Sequence, residues 1–270
     1  MRIAALIIIS SLAVPFLSAE APVHKESPPD ADGVYTILEP RRTLKDIDAT
    51  YSLMPHAQWK PPADRWNNLS ATKKRLEEGR DFHIVMLGDS IVNDTARSAW
   101  VLLLAKEYPK CKVRMTTVVR GSTGCWWYKS NGRFGKYVVP LKPDLLVIGG
   151  ISQRGEIASI REVIELTQAL THAEVLVTTG VFGELDPTNP RIMATSQYSG
   201  LARYGADLKS LASQMKTGYL DMTRPWADYV KESGKDLTYF KRDRVHANEQ
   251  GEQVLGRILA TFLAPGGVNQ

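Results

Sequence analysis

Long apolar runs are scarce in this chain of 270 residues: Ile3–Leu17 is one, and no second of that length follows. Beyond it, nothing in the sequence is long and apolar enough to span a bilayer. Cysteine is nearly missing, with only Cys111 and Cys125, and the few Cys and His residues do not fall at zinc-ligand spacing. Charge of one sign is not gathered anywhere. The formal net charge is +5, but the basic residues are scattered, which argues against a nucleic-acid-binding face. A weak attraction to acidic polysaccharide is compatible with that balance. Internal repeats and low-complexity tracts are absent, and so is the G-x-S-x-G signature of a nucleophile elbow.

What is present divides the chain into three. Met1-Arg2 gives a positive start, Ile3 to Leu17 is apolar, and Ser18-Ala19 offers a small-residue cleavage point. Residues 1–19 therefore read as a secretory signal peptide, with an uncleaved anchor as the alternative, and the protein is expected to be exported to the periplasm or the medium. Removing Arg2 with the leader leaves a mature net charge of about +4 and no membrane span. Residues 20–62 hold Pro22, Pro28, Pro29, Pro40, Pro55, Pro61 and Pro62 and read as an arm, with Tyr35, Ile37, Leu53 and Trp59 available to pack on the main body. Residues 63–270 are long enough for one α/β domain with a sizeable core, expected to be a monomer. In an exported chain two cysteines invite a disulfide. Cys111 and Cys125, however, flank a strand that would hold them apart, so a bridge and a pair of buried thiols both stay open.

From His83 onward apolar runs of strand length alternate with helical patterns. Strands are expected at 83–88, 112–120, 144–149, 174–180 and 217–221, and helices at 64–79, 94–108, 156–173, 198–215 and 250–263. The alternation predicts a three-layer α/β sandwich around a five-stranded parallel sheet of flavodoxin-like type, with all strand carboxyl ends on one rim. The stretch His83-Ile84-Val85-Met86-Leu87-Gly88-Asp89-Ser90 runs from a buried strand through a turn signal to a hydroxyl. That is where open α/β sheets bind ligands, and where helix N–H groups can stabilise negative charge.

A serine nucleophile needs a base, and the base an orienting partner. Of five histidines, His24 and His56 lie before the domain, His83 starts the first strand at the opposite rim, and His172 ends a helix. His246 remains, three residues after Asp243 in a loop before the last helix. Gly88-Asp89-Ser90 near the start of the domain, together with Asp243-x-x-His246 near its end, resembles the SGNH, or GDSL, hydrolase superfamily over roughly residues 80–263. The resemblance implies Ser90 as nucleophile, His246 as general base and acid, and Asp243 as the orienting carboxylate. It also implies that Val118-Val119-Arg120-Gly121-Ser122-Thr123-Gly124 is the second block, with Gly124 the oxyanion glycine beside the N–H of Ser90. Gly121 reads equally as a simple strand-ending turn. The third block departs from the family pattern: Gly149-Gly150-Ile151-Ser152-Gln153 has no asparagine. Ser152 falls at its place if Gly150 is the block glycine, and either its hydroxyl or the Gln153 amide could donate; Gln153, chemically closest to asparagine, is expected to complete the oxyanion hole.

The chemistry so implied is hydrolysis of a carboxylic ester through an acyl-enzyme, with no metal or organic cofactor. Trp126-Trp127-Tyr128 follows Gly124 directly, and aromatic faces suit sugar rings. Asp89, Trp126 and Trp127 are the expected substrate contacts, and one or both tryptophans read equally as caps on the sheet core. With the leader, this favours O-deacetylation of a polysaccharide or oligosaccharide. A cell-envelope glycan O-acetyltransferase with the same triad and a catalytically weakened glycan-binding relative are the alternatives.

Overall fold

The computed structural model describes residues 25–26, 28–56, 59–181 and 183–265, so the expected signal peptide lies outside the described residues. Seven strands form one sheet: β1 (Lys25–Glu26), β2 (Tyr35–Glu39), β3 (Phe82–Gly88), β4 (Val113–Val119), β5 (Leu145–Ile148), β6 (Glu174–Thr178) and β7 (Gly218–Leu220). Their order is β1-β2-β4-β3-β5-β6-β7. The last five are mutually parallel, as the alternation required, and carry the flavodoxin-like order. The chain steps from β3 to β4 on one side, then crosses back to β5 on the other. Loops leaving β3 and β5 therefore diverge at the carboxyl rim, and a crevice opens between them.

Two strands were not expected. β2 pairs antiparallel with β4, from Tyr35 opposite Val119 to Glu39 opposite Met115, and β1 pairs with β2. The segment that reads as an arm thus extends the sheet. It also contains a helix, Leu44–Ser52, started by a capping box in which Thr43 and Asp46 satisfy each other's backbone N–H.

β3 is buried at every position because both faces are covered. Ile84 and Met86 point into one core with the helices Ser90–Arg97, Trp100–Glu107 and Glu249–Leu263. Val85 and Leu87 point into the other, with Ile157–Leu170 and Ser196–Met215. The helix expected at 94–108 is two. It begins at Ser90 and breaks at Ala99, whose φ is +56°. At the break the last helix crosses close by: a Cβ on Gly256 would fall against the Ser98 side chain, and Gln253 Nε2 donates to the Ser98 carbonyl at 3.1 Å. The helix expected at 64–79 forms only over Ser70–Glu78, ending at Gly79 with φ +72°. A further helix, Thr223–Ser233, had no expected counterpart.

Candidate active site

β3 ends at Gly88, and Asp89 caps the helix Ser90–Arg97 by accepting from the Ile91 N–H at 2.9 Å. Ser90 is thereby fixed in the first turn, where an α-helix leaves N–H groups without intrahelical acceptors and favours negative charge. Before the last helix, the chain folds back on itself at 241–248: Lys241 bridges Ala247, and the Arg242 N–H donates to the His246 carbonyl at 3.1 Å. This loop carries His246 over the rim to Ser90.

The three expected side chains meet. His246 Nε2 lies 2.9 Å from Ser90 Oγ, and His246 Nδ1 lies 2.8 Å from Asp243 Oδ2. An ionised carboxylate only accepts, so the Nδ1 nitrogen carries the proton, and Nε2 is left to accept from the serine hydroxyl. The backbone N–H groups of His246 and Val245 each donate to Asp243 Oδ1 at 2.8 Å. Those two bonds, with the imidazole beyond them, hold the Asp243 carboxyl well below the usual carboxylate range. The carboxylate is half exposed and the imidazole less so.

Asp89 is not placed to touch a substrate, contrary to expectation. It is buried, and its oxygens are taken up by Ile91 N–H on one side and by Ile151 N–H, Ser152 N–H and Ser152 Oγ on the other, at 2.7–2.9 Å. It ties the turn at Ser90 to the loop after β5. That tie needs glycine at 150, where φ is +103° and a Cβ would stand 2.4 Å from Asp89 Oδ1. Trp127 also departs from expectation. It is buried, stacked on Tyr137 at 6.1 Å between ring centroids, with the guanidinium of Arg133 4.1 Å and that of Arg120 5.0 Å from its ring centre. A ring so enclosed packs the core and has no face left for a sugar. Trp126, in contrast, is 40 % exposed, and its ring lies against Gly124.

Gly124 and Gln153 are neighbours: a Cβ on the glycine would meet Gln153 Cβ at 2.7 Å. Of the two third-block candidates, Ser152 has its hydroxyl spent on Asp89. Gln153 is buried; it accepts the Cys125 thiol on Oε1 at 3.1 Å and its side chain also faces the Tyr204 hydroxyl. Cys111 and Cys125 are both free, buried thiols, and burial pushes both up in pKa. His83 is held between the Leu141 carbonyl and Thr116 Oγ1, far down the strand, and burial lowers its pKa.

One buried carboxylate escaped the sequence reading. Asp94, fully enclosed four residues after Ser90, takes Arg242 Nη2 at 2.8 Å and the Ala247 N–H at 2.9 Å. Its signal was position alone, since i and i+4 share one helix face. A cavity of about 660 Å³ is bounded by Ile151, Arg154, Gly183, Tyr204 and Val245, the residue before His246.

Compared with known proteins, the sequence matches no family model and no curated relative. The fold does have solved counterparts. An acetylxylan esterase from Geobacillus stearothermophilus, Axe2, superposes with a TM-score of 0.57 at 18 % identity, over 70 % of this chain and 97 % of that one. LAE5, an alpha/beta hydrolase from the metagenome of Lake Arreo, gives 0.55 at 16 % identity, over 67 % of this chain and 94 % of that one. Likeness at this identity establishes a shared α/β fold. Other structures of Axe2 are described as catalytic mutants, with alanine replacing a serine, an aspartate, or a histidine three positions after that aspartate.

Proposed function

We propose that the protein is an exported serine esterase that removes O-acetyl groups from a polysaccharide or oligosaccharide. The observation that carries this reading is the unbroken line from Asp243 through His246 to Ser90, at 2.8 and 2.9 Å. His246 takes the proton of Ser90 as the oxygen attacks the ester carbonyl, and the C–O bond to the sugar breaks as His246 returns that proton to the leaving alkoxide. Water then enters, loses a proton to His246 and bonds to the acyl carbon; the bond from that carbon to Ser90 Oγ breaks as His246 returns the proton to Ser90, and acetate leaves. The oxyanion is held by the N–H groups of Ser90 and Gly124 and by Gln153 Nε2. The steps need only these side chains and water.

Two features support a glycan as the alcohol. Trp126 offers an open ring next to Gly124, and the cavity beyond Val245 is lined by Arg154 and Tyr204 as well as apolar groups, a mixture suited to hydroxyl-rich rings. The spacing of the alanine replacements in Axe2 parallels Asp243 and His246 here. Export rests on Met1-Arg2, the apolar run Ile3–Leu17 and Ser18-Ala19. The test is acetate release from a panel of acetylated glycans, acetylxylan among them, by the wild-type protein. Release from at least one is expected, and none from any, in a folded preparation, would overturn the glycan reading.

A further inference from the structure

Asp94 is a buried carboxylate that the three-residue relay does not use, and it faces the relay from behind. It stands one helical turn after Ser90 in the helix Ser90–Arg97, is fully enclosed, and spends both oxygens on the loop that carries the base. Oδ1 takes Arg242 Nη2 at 2.8 Å, and Oδ2 takes the Ala247 N–H at 2.9 Å. Arg242 and Ala247 bracket Asp243 and His246, one residue outside each. The Arg242 N–H donates in turn to the His246 carbonyl at 3.1 Å, which closes the bracket. A buried carboxylate without partners is costly, so its two donors are strongly held.

We propose that Asp94 is the positioning residue of the triad: one helix carries both the nucleophile and the clamp that sets where the base lies. The proposal rests on the triad reading above. Ser90 and His246 sit on segments that share no strand, so their 2.9 Å contact depends on how the loop 241–248 is fastened. The fastening from the other side is also ionic. Glu252 of the last helix lies 3.7 Å from Arg242 Nη1, and is itself met by Arg42 and Arg97 at 3.0 Å. The charged and titratable groups around His246 are Asp243, Lys241, Arg242 and Arg244 of its own loop, Glu184 paired with Arg244, Asp94 from the helix Ser90–Arg97 with its pKa raised by burial, and Glu252 behind Arg242, pushed up to about 7 by burial. Removing the charge of Asp94 leaves Arg242 less balanced, which disfavours the imidazolium.

The test compares Asp94→Asn with wild type on 4-nitrophenyl acetate, with Ser90→Ala alongside. Asparagine keeps the side-chain shape but turns a donor or a weaker acceptor toward Arg242. The expected result is a fall in kcat of tenfold or more, a KM within about twofold, and an acid limb of the pH–rate profile moved to lower pH. A change confined to thermal stability, with kcat and the acid limb as in wild type, would overturn the proposal. Equal rates for Ser90→Ala and wild type would overturn the triad and the proposal with it, whereas an inactive Ser90→Ala beside an unaltered Asp94→Asn removes the clamp alone. Should Asp94→Asn not fold, Arg242→Gln, at a partly exposed side chain, reads the same kcat fall, with the acid limb moved instead to higher pH because a positive charge is removed beside the imidazole.

Discussion

Ser90 and His246 are 156 positions apart in the chain and 2.9 Å apart in space. Their meeting depends on two loops at one rim of the sheet, one leaving β3 and the other preceding the last helix. The first loop is braced by Asp89 and the second by Asp243 and Asp94. Each of these carboxylates accepts backbone N–H groups, so each holds its loop as well as any charge partner.

Asp243 orients the imidazole through Nδ1, so replacing it with asparagine removes the acceptor that fixes the productive tautomer. Asp243→Asn is expected to lower kcat by about 10⁴-fold. Because the side chain is half exposed, the variant should fold with an unfolding midpoint close to wild type. Circular dichroism melts with steady-state rates check both parts; a folded variant with wild-type turnover contradicts the assignment.

The pH dependence follows from the same group. The Asp243 pKa is depressed in the folded protein by the N–H groups of His246 and Val245. The stability and orientation that its ionised form provides are therefore present above its unfolded value, about 3.9, and are lost only as the pH falls through the lower folded value. Between about pH 5 and 8 the Asp243 carboxylate therefore keeps its charge. The acid limb of log kcat/KM against pH is expected to have a slope of one. A slope of two over that range would mean that the carboxylate titrates there as well.

Gln153 and Ser152 separate by kinetics. Gln153→Met keeps the volume but loses the amide donor, and kcat on 4-nitrophenyl acetate should fall on the order of 10²–10³-fold, the usual effect of one missing oxyanion donor. Ser152→Ala loses a hydroxyl already given to Asp89. It should cost about 1 kcal/mol of stability and far less turnover. The reverse pattern would move the donor role to Ser152.

The two adjacent tryptophans should behave oppositely. Trp127→Ala empties a buried site between Arg120, Arg133 and Tyr137 and is expected to cost about 3–5 kcal/mol in unfolding free energy. Trp126→Ala should leave stability within about 0.5 kcal/mol, as surface changes usually do, yet raise KM for an acetylated oligosaccharide roughly fivefold, with 4-nitrophenyl acetate unaffected. Equal effects of Trp126→Ala on both substrates would remove that ring from sugar binding.

The parallel sheet and its rim were legible because buried strands read as short Val- and Ile-rich runs, and the helices between them as periodic ones. The meeting of Ser90, His246 and Asp243 was legible because its two motifs are local: Gly88-Asp89-Ser90 in a turn, and Asp243 three residues before His246 in a loop. β2 and the helix Leu44–Ser52 were hidden by the prolines around them, since pairing to β4 is a tertiary choice that composition does not reveal. Asp89 and Trp127 were misread for one reason. Proximity in sequence to the nucleophile or the oxyanion glycine says nothing about which way a side chain points, and both point inward. Asp94 was missed because its partners, Arg242 and Ala247, lie about 150 residues away.

The central claim is that Ser90 is a nucleophile activated by His246. Its most direct measurement is intact-protein and peptide mass spectrometry after treatment with a fluorophosphonate, which phosphonylates activated serine hydroxyls and loses fluoride. A single adduct on the peptide containing Ser90 is expected, absent from Ser90→Ala and greatly slowed in His246→Ala. Wild-type protein that takes up no label, or takes it up at another residue, would contradict the claim.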